Sequence, residues 1–200
     1  MPGGSWLRAA CAVSPTGQFL PVGAPVLASH GPTGYAGWGV SKRWIRIDLR
    51  AQQLELREGD RIAATYAVST AKRGAGERMD SEQTPRGAHE VRELIGADAP
   101  CGAVFVGRRP SGEICTDALR AAHPERDWIL TRVIWLSGLE EGRNKGGDVD
   151  TYDRYIYIHG TADEASLGTP ASHGCVRMRN ADVIALFERV EIGTLVRIDE

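Results

Sequence analysis

From Trp44 onward the chain alternates apolar and polar residues in short runs broken by turn residues, and this period of two restricts it to a protein built of sheet. Trp44-Ile45-Arg46-Ile47-Asp48-Leu49 is the clearest run. Gln53–Leu56 and Ile62–Val68 follow it, the latter pair separated by Glu58-Gly59-Asp60, which is the signature of an antiparallel meander. Further strands are expected at Ala88–Leu94, Ala103–Val106, Ile129–Leu136, Tyr155–His159 and Thr194–Ile198. Helical signal is scarce. Asn180–Val190 is the best case, with Asn180 placed to cap the first turn and Val183, Ile184, Leu186, Phe187 and Val190 forming an apolar face; Asp117–His123 is a shorter one. A mainly β sandwich or barrel with one short helix near its end accounts for the pattern.

Residues 1–40 are rich in glycine and proline and have no period, so they read as an irregular arm or degenerate leader before a single domain at 41–200. Residues 1–13 offer Arg8 and a short Ala-Ala-Cys-Ala-Val patch, which falls short of a signal peptide. No apolar run approaches the roughly 20 residues that span a bilayer. The stretch Gly138–Asp153 is rich in glycine and charge and is expected as a surface loop just upstream of the chemistry. With 24 Lys+Arg against 26 Asp+Glu, a net charge of −2 gives no sequence-wide attraction to nucleic acid or anionic membrane. Cys11, Cys101, Cys115 and Cys175 contain no C-x-x-C pair, which argues against a zinc ribbon; a Cys101–Cys115 bridge is left open.

Chemistry concentrates in Ile158-His159-Gly160-Thr161 and, one loop later, Ser172-His173-Gly174-Cys175-Val176-Arg177-Met178. A cysteine must become thiolate to attack a carbonyl, and an imidazole is the usual group to take its proton. Cys175 has two such partners within reach along the chain. Gly174 permits close backbone approach, so the N–H groups of Gly174 and Cys175 are candidates for an oxyanion hole. His159, His173 and Cys175 could also ligate zinc, but no further ligand accompanies them, and neither metal nor cofactor is expected. The remaining features have plainer readings. His30, His89 and His123 read as surface or capping residues, and Cys11, Cys101 and Cys115 as structural ones. Trp44, Trp128, Trp135, Tyr155 and Tyr157 pack on strand faces, and Ser69-Thr70 and Thr84-Pro85-Arg86-Gly87 sit at strand ends. Tyr155, Tyr157 and His159 share one face by period two, so their strand can line a groove.

The two motif blocks, together with Ala67-Val68-Ser69-Thr70, Thr84-Pro85-Arg86-Gly87, Ser166-Leu167-Gly168, Asn180-Ala181-Asp182-Val183 and Gly193-Thr194-Leu195-Val196, resemble the L,D-transpeptidase catalytic domain, the YkuD family with its ErfK/YbiS-like members, over about residues 42–198. The resemblance implies a β-sandwich with a short helix after the catalytic cysteine, acting on peptidoglycan stem peptides in cell-wall organisation and shape. It implies Cys175 as nucleophile, His159 as its activating imidazole, His173 as the second motif histidine and Gly160 as the carbonyl that orients His159. Arg177, Tyr157 and Ser172 are the implied substrate-binding residues. D-Alanine would leave, and the thioester would pass to an amine from another stem peptide, a lipoprotein lysine or glycine. Hydrolysis by the same acyl-enzyme is the alternative within this chemistry, and an idle cell-wall binding module the alternative outside it; retention of Cys175 with both histidines argues against the module. The implied compartment is the periplasm or cell envelope, although the missing signal peptide leaves the cytoplasm open.

Overall fold

The computed structural model describes residues 43–200; the arm expected over 1–40, with Cys11 and His30, lies outside the described residues. Strands β1 (Arg43–Asp48), β2 (Gln53–Glu58) and β3 (Arg61–Ser69) form the antiparallel meander read from the alternation, with Ile45 opposite Leu56 and Ile47 opposite Leu54. All four of these side chains are fully buried, while Arg46 and Asp48 between them stay partly exposed. Then come β4 (Gly87–Ile95), the hairpin β5 (Ala103–Val106) and β6 (Arg109–Ile114), α1 (Asp117–Ala122), β7 (Ile129–Gly138), β8 (Tyr157–Gly160), β9 (Val176–Met178), α2 (Asn180–Phe187) and β10 (Leu195–Asp199).

The strands lie in the order β4-β10-β1-β2-β3-β9-β8-β7, and β4 also pairs with β7, so the sheet closes on itself as a barrel-like sandwich. The β5–β6 hairpin extends from the N-terminal end of β7. Two pairings are parallel, β1 with β10 and β8 with β9, and both join segments distant in sequence. The enclosed core contains Ile45, Ile47, Leu54, Leu56, Val68 and Ile158, and α2 adds Val183 and Leu186. Strands β1 and β10 alternate buried with half-exposed residues, but β8 is buried on both faces. Its second face, with Tyr157, lies against Trp135 of β7 and Phe105 of the hairpin.

Several expectations change. Strands β6 and β9 were not foreseen: Arg109-Pro110-Ser111-Gly112 has poor strand composition and stays exposed, and β9 is only three residues long. Tyr155 stands before β8 with φ +57°, so the common face begins at Tyr157. Asn180 is the first helical residue rather than the cap, because its side-chain NH₂ donates to the Thr161 carbonyl at 2.8 Å and to Glu164 Oε1 at 2.9 Å. The helix ends at Phe187, short of Val190. His89 is not a surface residue: it is fully buried, with Nε2 3.1 Å from Thr151 Oγ1, and burial pulls its pKa down to about 4. His123 does cap α1. Gly138–Asp153 is anchored from within, since fully buried Asn144 donates to the Arg86 and Ala88 carbonyls. Cys115 is a free thiol, so the Cys101–Cys115 bridge is not formed.

Ile158 is fully buried on the central face of β8, between Ile134 of β7 and Val176 of β9. Ile158→Ala should therefore lower unfolding free energy by about 2–5 kcal/mol with an unchanged m-value in urea. A loss below about 1 kcal/mol would mean that β8 is not a core strand.

Candidate active site

In a parallel pair the register decides which side chains meet. Ile158 lies opposite Val176 and His159 opposite Arg177, so Tyr157, His159, Cys175 and Arg177 emerge on the same face, away from the closed core. The sequence motif and the sheet therefore bring the thiol and the imidazole onto neighbouring strands. His159 is 1% exposed and its Nδ1 sits 2.8 Å from the Gly160 carbonyl. A carbonyl only accepts, so Nδ1 carries the proton and Nε2 is the basic nitrogen. Gly160 is required by space. A Cβ there would stand 2.4 Å from Asn180 Oδ1 and 2.8 Å from the Leu130 carbonyl, so a side chain would push β8 off β7.

The loop carrying Cys175 is stitched to the end of β3 and to residues 70–86. Ala171 and Ser172 donate their N–H groups to the Thr70 carbonyl, each at 2.9 Å, and Lys72 N–H returns a bond to the Ser172 carbonyl. Ser172 is buried; its hydroxyl donates to the Cys175 carbonyl at 2.6 Å and accepts from Gly174 N–H at 3.2 Å. Its hydrogen bonds are thus spent on the backbone of Gly174 and Cys175, and the Gly174 N–H is already engaged. Gly174 adopts φ +132°, and a Cβ there would press on Ile156 at 3.2 Å. Thr84 is also fully buried, donating to the Gly174 carbonyl at 2.9 Å and accepting from Ala71 N–H at 3.0 Å.

Cys175 Sγ donates to the Tyr155 carbonyl and accepts from Tyr157 N–H, both at 3.4 Å. The residue keeps some exposure, yet protein encloses the sulfur closely enough that desolvation pushes the thiol up to about 12. Burial also holds His159 below its ordinary value of 6.5. Both shifts disfavour charge, so at neutral pH the resting pair is thiol and neutral imidazole. His173 is exposed. It lines, with Arg177, Asp127, Trp128, Thr161 and Asp163, a cavity of about 640 Å³ beside the motif loop.

Arg177 does not present an open fork, because it donates to Asp127 at 2.9 Å and to the Ala171 carbonyl at 3.2 Å. Asp127 had no sequence signal, being one acid among many, though its charge acts on both His159 and Cys175. Arg154 was likewise missed. Its guanidinium donates to the carbonyls of Gly76, Glu77 and Gln83 and to the Ser81 hydroxyl, so it ties residues 76–83 together next to the Cys175 loop. An aromatic cluster adjoins the sulfur: Trp135 stacks on Tyr152 at 3.9 Å and meets Tyr157 edge-on at 5.5 Å, while Tyr155, half exposed, tilts against it at 5.8 Å.

Residues 42–198 match the family described as YkuD, L,D-transpeptidase catalytic domain. The chain is 52% identical over 48 residues to the probable L,D-transpeptidase YbiS of Escherichia coli K12, a stretch covering 24% of this chain and 16% of that one. It is 27% identical over 159 residues to the putative L,D-transpeptidase YkuD of Bacillus licheniformis, covering 77% of this chain and 64% of that one. In fold it is similar to an L,D-transpeptidase from Mycobacterium smegmatis, with a TM-score of 0.50 at 15% identity over 80% of this chain and 59% of the other. Each match thus spans less than two thirds of the relative's own length.

A thiol raised to about 12 is a poor nucleophile toward small reagents at neutral pH. The rate of iodoacetamide labelling at Cys175, followed peptide by peptide by mass spectrometry, should climb with pH without levelling off up to pH about 10. A plateau already reached by pH 7 would reveal a preformed thiolate instead.

Proposed function

Since this chain belongs to the YkuD family of L,D-transpeptidase catalytic domains, we propose that it is an L,D-transpeptidase which cleaves peptidoglycan stem peptides through a Cys175 thioester and works in the cell envelope. The observation that carries the reading is the shared face of His159 and Cys175 on parallel strands, with His159 Nδ1 fixed on Gly160 so that Nε2 is the base. In the first half-reaction the thiol proton passes to Nε2 as the sulfur attacks the carbonyl of the third stem-peptide residue. The electron pair of that carbonyl moves to oxygen, and a backbone N–H at Cys175 is the nearest candidate to meet the new charge. Collapse expels D-alanine, whose amine takes the proton from the imidazolium, and leaves a thioester on Cys175. In the second half-reaction an amine attacks the thioester while Nε2 accepts its proton, and the thiol is restored.

The neutral resting pair supports general-base catalysis rather than a standing thiolate–imidazolium pair. It also fits selectivity. The sulfur becomes reactive only when a substrate fills the groove and the proton has somewhere to go. The exposed position of His173, which lines the 640 Å³ cavity, suits a role toward the second substrate. Water reaching the thioester instead would make the same site a carboxypeptidase, which is the second reading.

The direct test is mass spectrometry of a disaccharide-tetrapeptide incubated with the protein, with and without glycine. Wild type should release D-alanine and yield a cross-linked dimer or glycine adduct. Cys175→Ala should yield neither, and His159→Gln should lower kcat by about 100- to 10,000-fold. Because burial lowers His159, the base is present above its lowered pKa and lost only as pH falls through it. The acid limb of kcat/KM should therefore lie below 6.5. Formation of a shortened tripeptide alone, even with abundant glycine, would favour the hydrolase.

A further inference from the structure

The β5–β6 hairpin turns through Gly107 and Arg108, both at positive φ, +54° and +66°, between paired Val106 and Arg109. This is the backbone of a tight two-residue hairpin in which the second position ordinarily goes to glycine or asparagine. An arginine there carries backbone strain, and such strain is found where a side chain must be aimed. Arg108 is aimed back over the aromatic cluster beside Cys175. Its guanidinium carbon lies 4.7 Å from the Trp135 ring and 4.8 Å from the Tyr155 ring, and Nη1 donates to Tyr157 Oη at 3.4 Å.

Two aromatic rings and the Tyr157 hydroxyl thus hold one cation over the site, while no carboxylate among the described residues forms an ion pair with it. The contrast with Arg177, bound to Asp127, and with Arg154, bound to four oxygens, is direct. Tyr157 links the guanidinium to the nucleophile: its backbone N–H donates to Cys175 Sγ and its side-chain hydroxyl accepts from Arg108, so one residue, backbone and ring together, lies between the two. A guanidinium stacked on rings with its remaining N–H groups open presents a planar fork suited to a single carboxylate.

We propose that Arg108 is a specificity-determining residue that binds the C-terminal carboxylate of the donor peptide, the carboxylate of the D-alanine that leaves. This rests on the stem-peptide donor proposed above. The carboxylate one residue beyond the scissile carbonyl is the anion closest to the sulfur, whereas a side-chain carboxylate of the third residue lies several carbons away. The clamp makes the site read the end of a peptide: a donor whose terminus is blocked by amidation or by continuation of the chain lacks the group that Arg108 holds.

Binding separates this inference from catalysis. Cys175→Ala protein, unable to turn over, is titrated by calorimetry at low salt with a stem tetrapeptide and with the same peptide as its C-terminal carboxamide. The free acid should bind about tenfold more tightly, a preference that weakens as salt is raised. Adding Arg108→Gln should make the two affinities equal, and Arg108→Lys should restore part of the preference, since lysine returns the charge without the fork. Persistence of the full preference in Arg108→Gln overturns the proposal, as does equal affinity, or absence of binding, of both peptides to Cys175→Ala. Failure of wild type to release D-alanine while the Arg108-dependent preference holds would instead refute the transpeptidase reading and leave the carboxylate site standing.

Discussion

The site depends on one pairing, the parallel contact of β8 with β9. Without it His159 and Cys175 belong to two segments separated by a loop. With it they emerge on one face of one sheet, because His159 is in register with Arg177 and Tyr157 shares their side. A three-residue strand is a weak element by itself, so the loop before it is held in several other ways. Thr70 binds it through two backbone N–H groups, Thr84 through the Gly174 carbonyl, and Ser172 from within. Gly160 supports the same pairing from the opposite edge, since a side chain there would hold β8 away from β7.

That construction sets the electrostatics. Close packing around the sulfur and the imidazole removes water from both, and each responds by favouring its neutral form. The cations nearby do not reverse this. Arg177 is neutralised by Asp127, which itself acts on the pair with the opposite sign, and Arg154 is committed to carbonyls. At neutral pH the pair therefore rests uncharged.

The strands with one solvent-facing side were legible in the sequence, because burial of one face writes a period of two into β1, β2 and β10. Cys175 and its two histidines stood out in the sequence because they fall within one short stretch; the fold brings His159 and Cys175 to one face and leaves His173 exposed. What was not legible was long-range or backbone in origin. The parallel pairing of β8 with β9 depends on a register that the loop between them does not reveal, and β6 is held by its hairpin and not by its composition. Asn180 looked like a helix cap because the side chain that caps a helix is the same one that can clasp Thr161 and Glu164 across a loop. His89 looked like surface because a lone histidine carries no sign of the Gly87 carbonyl and Thr151 hydroxyl that satisfy it in the interior. Asp127 and Arg154 were hidden among many charges, since only folding brings them to the sulfur.

The three arginines around the groove differ in what surrounds them, and that difference assigns their work better than their charge does. A guanidinium whose two terminal nitrogens are bonded to three carbonyls and a hydroxyl has little left for a ligand, and its removal would leave those oxygens unpaired, so Arg154 belongs to the framework. One bound to an acid at the cavity rim, as Arg177 is, can yield to a substrate carboxylate only by giving up Asp127. A guanidinium stacked on rings meets neither obstacle. Aromatic faces hold the cation in position without occupying the fork, because they attract its charge across the plane and leave the in-plane N–H groups open. Of the three, Arg108 is therefore the one whose surroundings orient it while leaving, beyond its bond to Tyr157 Oη, N–H groups for something the chain itself does not supply.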